Sequence, residues 1–418
     1  MSAESETDEL FDLVVVGAGI LGLACARALT HRHPGWRVAI VEKENDIAQH
    51  QSGHNSGVIH AGIYYAPGSL KARLCVEGAR LLYDFCDDHQ LPVRRIGKVI
   101  VATDQTQLPA LRELERRGQE NQVPGLRWLS APELREIEPH AAGVAALHSP
   151  ATGVVDYPAV CRAVADELLG AGHEIRTGCE VQSAHERGDR LVIGHRHGEL
   201  LARRALFCAG AWSDRLAHQA GAPEDPRIIP FRGAYLLLRE DRRELVRGLI
   251  YRVPDPRLPF LGVHLTRHID DSVSIGPTAL MVGARDAYRL GTVRGRDLAD
   301  TLTWPGTRKM AWRYRATAWT ELKHVASRRA LVAAAQRFVP EVEPGDVHPG
   351  PVGVRAQALA RDGSLVDDFV FAETSRALHV RNAPSPAATS AFAIAEHVAD
   401  SFEQRFSLAA AKPARSGP

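Results

Sequence analysis

The chain has 418 residues, 45% hydrophobic and 24% charged, with 51 Lys and Arg against 50 Asp and Glu. A formal charge of +1 provides no field to draw it to nucleic acid or anionic lipid, and no apolar run reaches the ~18 residues that span a bilayer. This is a globular chain long enough for two or three domains. Its acidic start, MSAESETDEL, reads as neither a secretory signal nor an Arg-rich transit peptide, which points to the cytoplasm.

In chain order, residues 1–9 are expected to be disordered. FDLVVVG (11–17) is a short β-branched run of the kind that forms a buried parallel strand. It leads straight into Gly17-Ala18-Gly19-Ile20-Leu21-Gly22, and LACARALTHRH then reads as a helix. A second strand, WRVAIVEK, ends at Glu42 and Lys43, with the acid about 20 residues beyond Gly22. Strand, G-x-G-x-x-G, helix, strand and acid make a dinucleotide-binding unit. Gly17 permits the tight turn, Gly19 lets the backbone approach a pyrophosphate, and Gly22 lets helix and strand pack closely. The helix start at Ile20 and Leu21 offers N–H groups and a positive dipole end to the phosphates. Glu42 can accept from ribose hydroxyls. Glutamate rather than aspartate leans toward FAD over NAD.

HQSGHNSGVIHAGIYYAPGSLKARLC (50–75) follows, with more histidine and tyrosine than a turn requires. GKVIVAT (97–103) and the runs AYLLLRE and DSVSIGP between residues 227 and 281 alternate as strands of an antiparallel sheet. Residues 105–122 and 291–340 read as amphipathic helices, and LLARRALFCAGAW (200–212) as a strand entering a glycine turn. Within the second helical region TRKMAWRYRATAW (307–319) reads best as an Arg-decorated buried helix, with peripheral membrane contact as the other reading. The six cysteines are scattered without a C-x-x-C, so they are expected reduced and buried or half-buried. The pairs His31/His33 and His195/His197 lack ligand-spaced partners; they read as solvated, and no metal is expected. Residues 406–418 are expected to be disordered.

HNSGVIHAGIYYAPGSLKARLC closely resembles the signature stretch of the L-2-hydroxyglutarate dehydrogenases (also described as oxidases), within the D-amino-acid-oxidase-like FAD superfamily. GVVDYPAV (153–160), LFCAGAWSDRLA (206–217), PDPRLPFLGVHLT (254–266), VRAQAL (354–359) and NAPSPAATSAFAIAEHV (382–398) are similar to the same family. The resemblance implies an α/β (α+β overall) fold: a Rossmann-like FAD-binding domain built from discontinuous segments, and a mostly antiparallel β-sheet substrate domain. The segments 10–90, 150–220 and 345–405 are assigned to the first, 91–149 and 221–344 to the second. It further implies noncovalent FAD, with contacts at Gly17, Gly19, Ile20, Leu21, Gly22, Glu42, Lys43, Ser52, His54, Asn55, Ser56 and Gly57. Val181, Ala209, Gly210, Trp212, Ser385, Pro386, Ala388 and Thr389 complete that set. The loop histidine His54 is the position at which a covalent flavin link would form.

Oxidising a 2-hydroxy acid removes a hydroxyl proton while a hydride leaves C2, and histidine is the usual base. His264, in GVHLT, is favoured as base, with His60 as a flavin-side contact. Two carboxylates call for cationic and hydroxyl partners: Arg355 first, then Arg232 and Lys71, with Tyr65, Gln357 and Ser385 as neutral donors. Electrons are expected to pass to quinone or oxygen. Rival readings are a same-fold oxidase of another 2-hydroxy acid, amino acid or amine, and a flavin-binding sensor without turnover.

Overall fold

Strand Leu10–Val16 is buried along most of its length because it is paired on both edges, with Val38–Val41 on one side and Gly198–Phe207 on the other, all parallel. Glu174–Arg176 extends the sheet beyond Val38–Val41, and Ala377–Asn382 extends it beyond Gly198–Phe207, again parallel. In chain rank the five strands run 3-2-1-4-5 across the sheet, the doubly wound order. The order reverses between Leu10–Val16 and Gly198–Phe207, and ligands of such sheets bind beyond the carboxyl ends at that point. Helices Ile20–Arg32 and Ala391–Phe406 pack together through small and apolar residues, among them Ala24, Ala28, Ile394 and Ala395.

These elements belong to the first of two units in this computed structural model, which describes residues 10–255 and 262–408. Unit one comprises Met1–Ser52, Pro158–Glu224 and Asp368–Pro418; unit two comprises Gly53–Tyr157 and Asp225–Asp367. Residues 221–224, expected with the substrate domain, fall in unit one, and 53–90, 150–157 and 345–367, expected with the FAD domain, fall in unit two. Val58–Ile59 pairs there with Gly153–Val155, and Val347–Leu359 runs antiparallel along Arg227–Leu238.

Unit two is built on a sheet ordered Arg227–Leu238, Val273–Gly276, His264–Arg267, Leu249–Arg252, Lys98–Ala102, Ala145–Ser149. These neighbours are antiparallel except Leu249–Arg252 with Lys98–Ala102. Side chains alternate between two cores. Val99, Val101, Ile250, Leu265 and Ile275 pack with Leu331, Val332 and Phe338 on one face. Ile100, Leu249 and Tyr251 pack with Val58, Ala61 and Ile63 of the His/Tyr-rich stretch on the other. The period of two puts Lys98 and His264 on this second face, the face that Tyr251 also lines.

Three local expectations change. The region 291–340 is four short helices, Gly295–Thr303, Pro305–Arg313, Arg315–Ala326 and Arg328–Gln336. Arg315–Ala326 has no buried residue and Trp312 and Trp319 are 73% and 69% exposed, so 307–319 is not a buried helix. His33 is not solvated: it is 7% exposed, stacked on Trp36 and bonded to Glu403 Oε1 at 2.9 Å. Of the expected disordered tail, Phe406 instead closes the last helix, while residues 1–9 and 409–418, like 256–261 of the family-like stretch 254–266, lie outside the described residues. All six cysteines are free, five buried and Cys208 half-buried.

Candidate active site

In unit one, the carboxyl ends of the two strands at the order reversal carry the glycine turn and the segment 208–212. Gly17 has φ +106°, and a Cβ there would lie 2.5 Å from the Cys208 carbonyl oxygen. A Cβ on Gly22 would lie 1.8 Å from the Gly17 carbonyl oxygen, so the helix can start this close to the strand only without one. At Gly19 the nearest atom is the Ser52 hydroxyl at 3.2 Å, which leaves the turn open for a phosphate. The helix that begins at Ile20 is 13 residues long, enough for a developed dipole. Ser52 Oγ accepts from Ile20 N at 2.9 Å, capping one of its free donors. Glu42 is 8% exposed, and its two oxygens accept from Ala18 N (2.9 Å) and Glu44 N (3.1 Å). Each oxygen keeps a second lone pair for a ribose hydroxyl.

The other expected cofactor contacts of unit one cluster unevenly. Lys43 pairs with Glu44 and stands 4.0 Å from the Trp212 ring centre, with His50 edge-on to the same ring. Trp212 N bonds to Ala209 O, and Gly210 takes φ +51°. Val181 opens a hairpin strand. Ser385 is exposed, Pro386 and Thr389 are buried, and Ala388 lies between, just ahead of the helix start at Ala391. Ser390 Oγ is buried there without a hydrogen-bond partner. His54, Asn55, Ser56 and Gly57 fall in unit two. Asn55 Oδ1 accepts from Gly57 N, a local turn, and His54 Nδ1 bonds to Val352 O at 3.0 Å while its ring stacks on Tyr288.

The second face of the unit-two sheet gathers the candidate chemistry. His264 is 7% exposed and stacks on Tyr251 with ring centres 4.0 Å apart. Its Nδ1 lies 3.0 Å from the Gly262 carbonyl oxygen, so Nδ1 carries the proton and Nε2 the lone pair. Burial lowers its pKa to about 4, outweighing the Gly262 carbonyl, and the charges of Lys98 and Arg355 push the same way. His60 is lowered further, to about 3, by burial and then by Lys98, His264, Lys71 and Arg355. Both imidazoles are therefore neutral over the whole physiological range. Arg355 is accessible to water, yet surrounding protein lowers its pKa by desolvation. Tyr235 and Tyr65, half-buried, act electrostatically on it.

Lys71, Gln357 and Arg232, also expected at the substrate, are each held by protein groups. Lys71 Nζ is bound to Asp367 Oδ1 at 2.6 Å. Gln357 donates to the Ala358 and Val366 carbonyls, and Arg232 leans on the Tyr288 carbonyl at 3.4 Å. Sequence reasoning passed over Lys98, Tyr64, Tyr235 and Tyr251. The alternation in AYLLLRE carries a signal for Tyr235; for Lys98, directly after Gly97 at a strand start, a solvated end is the natural reading.

The chain matches, over residues 12–401, the family described as FAD dependent oxidoreductase. It is 46% identical to the mitochondrial L-2-hydroxyglutarate dehydrogenase of Nematostella vectensis, over 96% of this chain and 92% of the relative. Identity is 44% to the human mitochondrial L-2-hydroxyglutarate dehydrogenase (97% and 91% covered) and 42% to the L-2-hydroxyglutarate dehydrogenase of Indibacter alkaliphilus (95% and 100%). In fold it is similar to dithionite-reduced L-α-glycerophosphate oxidase of Mycoplasma pneumoniae with FAD bound, at TM-score 0.78, 22% identity and 97% coverage of both chains. Glycine oxidase of Bacillus cereus is similar at TM-score 0.67 and 16% identity, with 94% of this chain and 95% of that one covered.

Proposed function

Because the chain belongs to the FAD dependent oxidoreductase family, with L-2-hydroxyglutarate dehydrogenases as relatives at 42–46% identity, we propose that it oxidises L-2-hydroxyglutarate to 2-oxoglutarate. The observation that carries the mechanism is His264, buried, neutral, and held in the tautomer that leaves Nε2 free to take a proton. Bound FAD supplies the hydride acceptor for C2. The glycine turn, the helix start at Ile20 and Glu42 hold its pyrophosphate and ribose, and the crowding at Gly17 and Gly22 is what such a cradle requires.

His264 Nε2 accepts the C2 hydroxyl proton, so that the alkoxide forms only where the hydride can leave. Arg355 takes the C1 carboxylate, with the Tyr65 and Tyr235 hydroxyls beside it, and fixes which face of C2 is presented. An arriving anion also raises the His264 pKa from its low resting value, toward that of a competent base. His60 is assigned to contact with the cofactor. Anaerobic addition of L-2-hydroxyglutarate should bleach the flavin within turnover time. No bleaching across a panel of 2-hydroxy and 2-amino acids would favour a sensor, and bleaching by amino acids alone would favour an amino-acid oxidase.

The cofactor is noncovalent in this reading, since His54 Nδ1 is engaged with the Val352 carbonyl. Acid precipitation should release the yellow colour into the supernatant. Colour retained in the pellet would implicate His54 in a covalent link.

The electron acceptor is a membrane quinone rather than oxygen. Supporting this, among the described residues the exposed large hydrophobic ones, Leu169 apart, all fall between residues 281 and 322, with Trp312 and Trp319 the most exposed. Arg308, Lys309, Arg313, Arg315 and Lys323 are exposed around them, a composition suited to peripheral contact with anionic lipid. No helix among the described residues is long and apolar enough to cross a membrane. The protein should co-sediment with anionic vesicles, and Trp312→Ala/Trp319→Ala should weaken this at least about tenfold. Equal sedimentation of the double variant would remove this face from the account, and turnover driven by oxygen as fast as by a soluble quinone would remove the acceptor.

A further inference from the structure

Lys98 is 1% exposed, in a strand paired on both sides. Among the described residues its ammonium has neither a carboxylate partner nor a hydrogen bond; it lies 4.7 Å from the Tyr64 ring centre and 5.1 Å from that of Tyr251. A buried cation held only by ring faces is expensive to keep, because π-faces replace little of the lost hydration. The Tyr64 hydroxyl is buried and likewise has no hydrogen-bond partner. An ammonium held over the ring of a tyrosine whose own hydroxyl is orphaned forms a set of donors with no acceptor. That is the chemistry of an anion recess.

Its place on the sheet says which anion. Tyr251 stands between the two groups, its ring contacting Lys98 Nζ and stacking on His264. Lys98 and His264 sit on strands two apart and two residues out of step, since Lys98 pairs with Leu249 whereas His264 lies across from Tyr251, which sets their backbones about 12 Å from each other. A lysine side chain reaching along the tyrosine covers much of that gap, and a chain of three carbons beyond C2 covers the rest. We propose that Lys98, with the Tyr64 hydroxyl, receives the distal carboxylate of the substrate and so selects a five-carbon dicarboxylate. The inference rests on the dicarboxylate reading above and names the group that enforces it. Burial lowers the Lys98 pKa to about 8, which still leaves the ammonium charged at neutral pH.

The test compares L-2-hydroxyglutarate with L-2-hydroxyvalerate, the same chain without its distal carboxylate, by anaerobic flavin reduction. In the wild-type holoenzyme kcat/KM should favour the dicarboxylate strongly, and Lys98→Met should collapse that ratio at least about a hundredfold. Glutarate should raise the wild-type unfolding midpoint more than butyrate does, and Lys98→Met should erase the difference. Lys98→Met should also raise the midpoint of the ligand-free holoenzyme, since it removes an unpaired buried charge. A variant that loses both substrates in proportion, keeps the glutarate effect and melts earlier would make Lys98 a structural residue and overturn the proposal. A wild type indifferent to the distal carboxylate would instead overturn the dicarboxylate reading, and this inference with it. If Lys98→Met does not fold, Tyr64→Phe carries the test: the ratio should fall about tenfold, and an unchanged ratio overturns the recess.

Discussion

His264→Ala is expected to lower kcat by roughly 10²–10⁴-fold while KM changes much less. In the proposed roles, the substitution removes a proton acceptor used as the C2–H bond breaks, and leaves an Arg355 contact that would hold substrate in ground and transition states alike. Arg355→Ala should therefore show the opposite split, with KM raised most. His60→Ala is the internal control, expected to disturb the flavin spectrum or its retention more than proton transfer. Should His264→Ala keep near-wild-type kcat while His60→Ala loses it with flavin bound, the two roles are reversed.

The same histidine fixes a pH profile. A base must be neutral, and the resting pKa of about 4 keeps His264 so well below neutrality. The groups acting on it, Lys98, Arg355 and His268, are cationic or neutral, and none is an acid that would pull the value up. In the free enzyme, kcat/KM should thus stay flat through pH 6.5, where an ordinary imidazole would already be half protonated, and fall only toward about 4. Stability moves over a wider window. The folded pKa lies below the unfolded value of 6.5, so the unfolded chain binds the extra proton between about 6.5 and 4. The stabilisation is full above 6.5 and declines as the solution is acidified, by up to ~3 kcal/mol for His264. His60 acts in the same direction. Flavin fluorescence must be followed in parallel, so that acid release of cofactor is not read as titration of the base. A profile that already halves near pH 6.5 with flavin retained would contradict the buried, neutral His264.

How much of this was legible in the sequence depends on how local each determinant is. The cradle was legible because its geometry is written in consecutive residues: Gly17 and Gly22 meet backbone atoms that any side chain would strike. The strands 98–102 and 227–238 were legible through their alternation. The partner of Lys71 was not, because Asp367 comes from 296 residues away. Lys98 was hidden for a similar reason: its burial follows from pairing with Leu249–Arg252 and from Tyr64 closing over it. The placement of Val347–Leu359 was not legible because it reads as an ordinary strand, and only its register along Arg227–Leu238 assigns it to the second sheet. The helices 305–326 carry Arg and Trp in a pattern that fits a buried or an exposed helix; the exposure of Trp312 and Trp319 decides between them.

L-2-hydroxyglutarate should be oxidised at least about a hundredfold more efficiently than either its D enantiomer or L-lactate. For the enantiomer the reason is geometric. With C1 held by Arg355 and the hydroxyl on His264 Nε2, only one arrangement leaves the C2 hydrogen aimed at the hydride acceptor, and exchanging two substituents points it away. For lactate the reason is desolvation. Its methyl group leaves the distal donors without an acceptor, and a site that has already shed water from a cation regains nothing by closing over a short chain. The two comparisons fail differently. Equal rates with the D form would mean that C2 is not fixed at three points, which removes the Arg355 and His264 assignments together. Equal rates with lactate would leave the stereochemistry standing and reduce the enzyme to an oxidase of short 2-hydroxy acids.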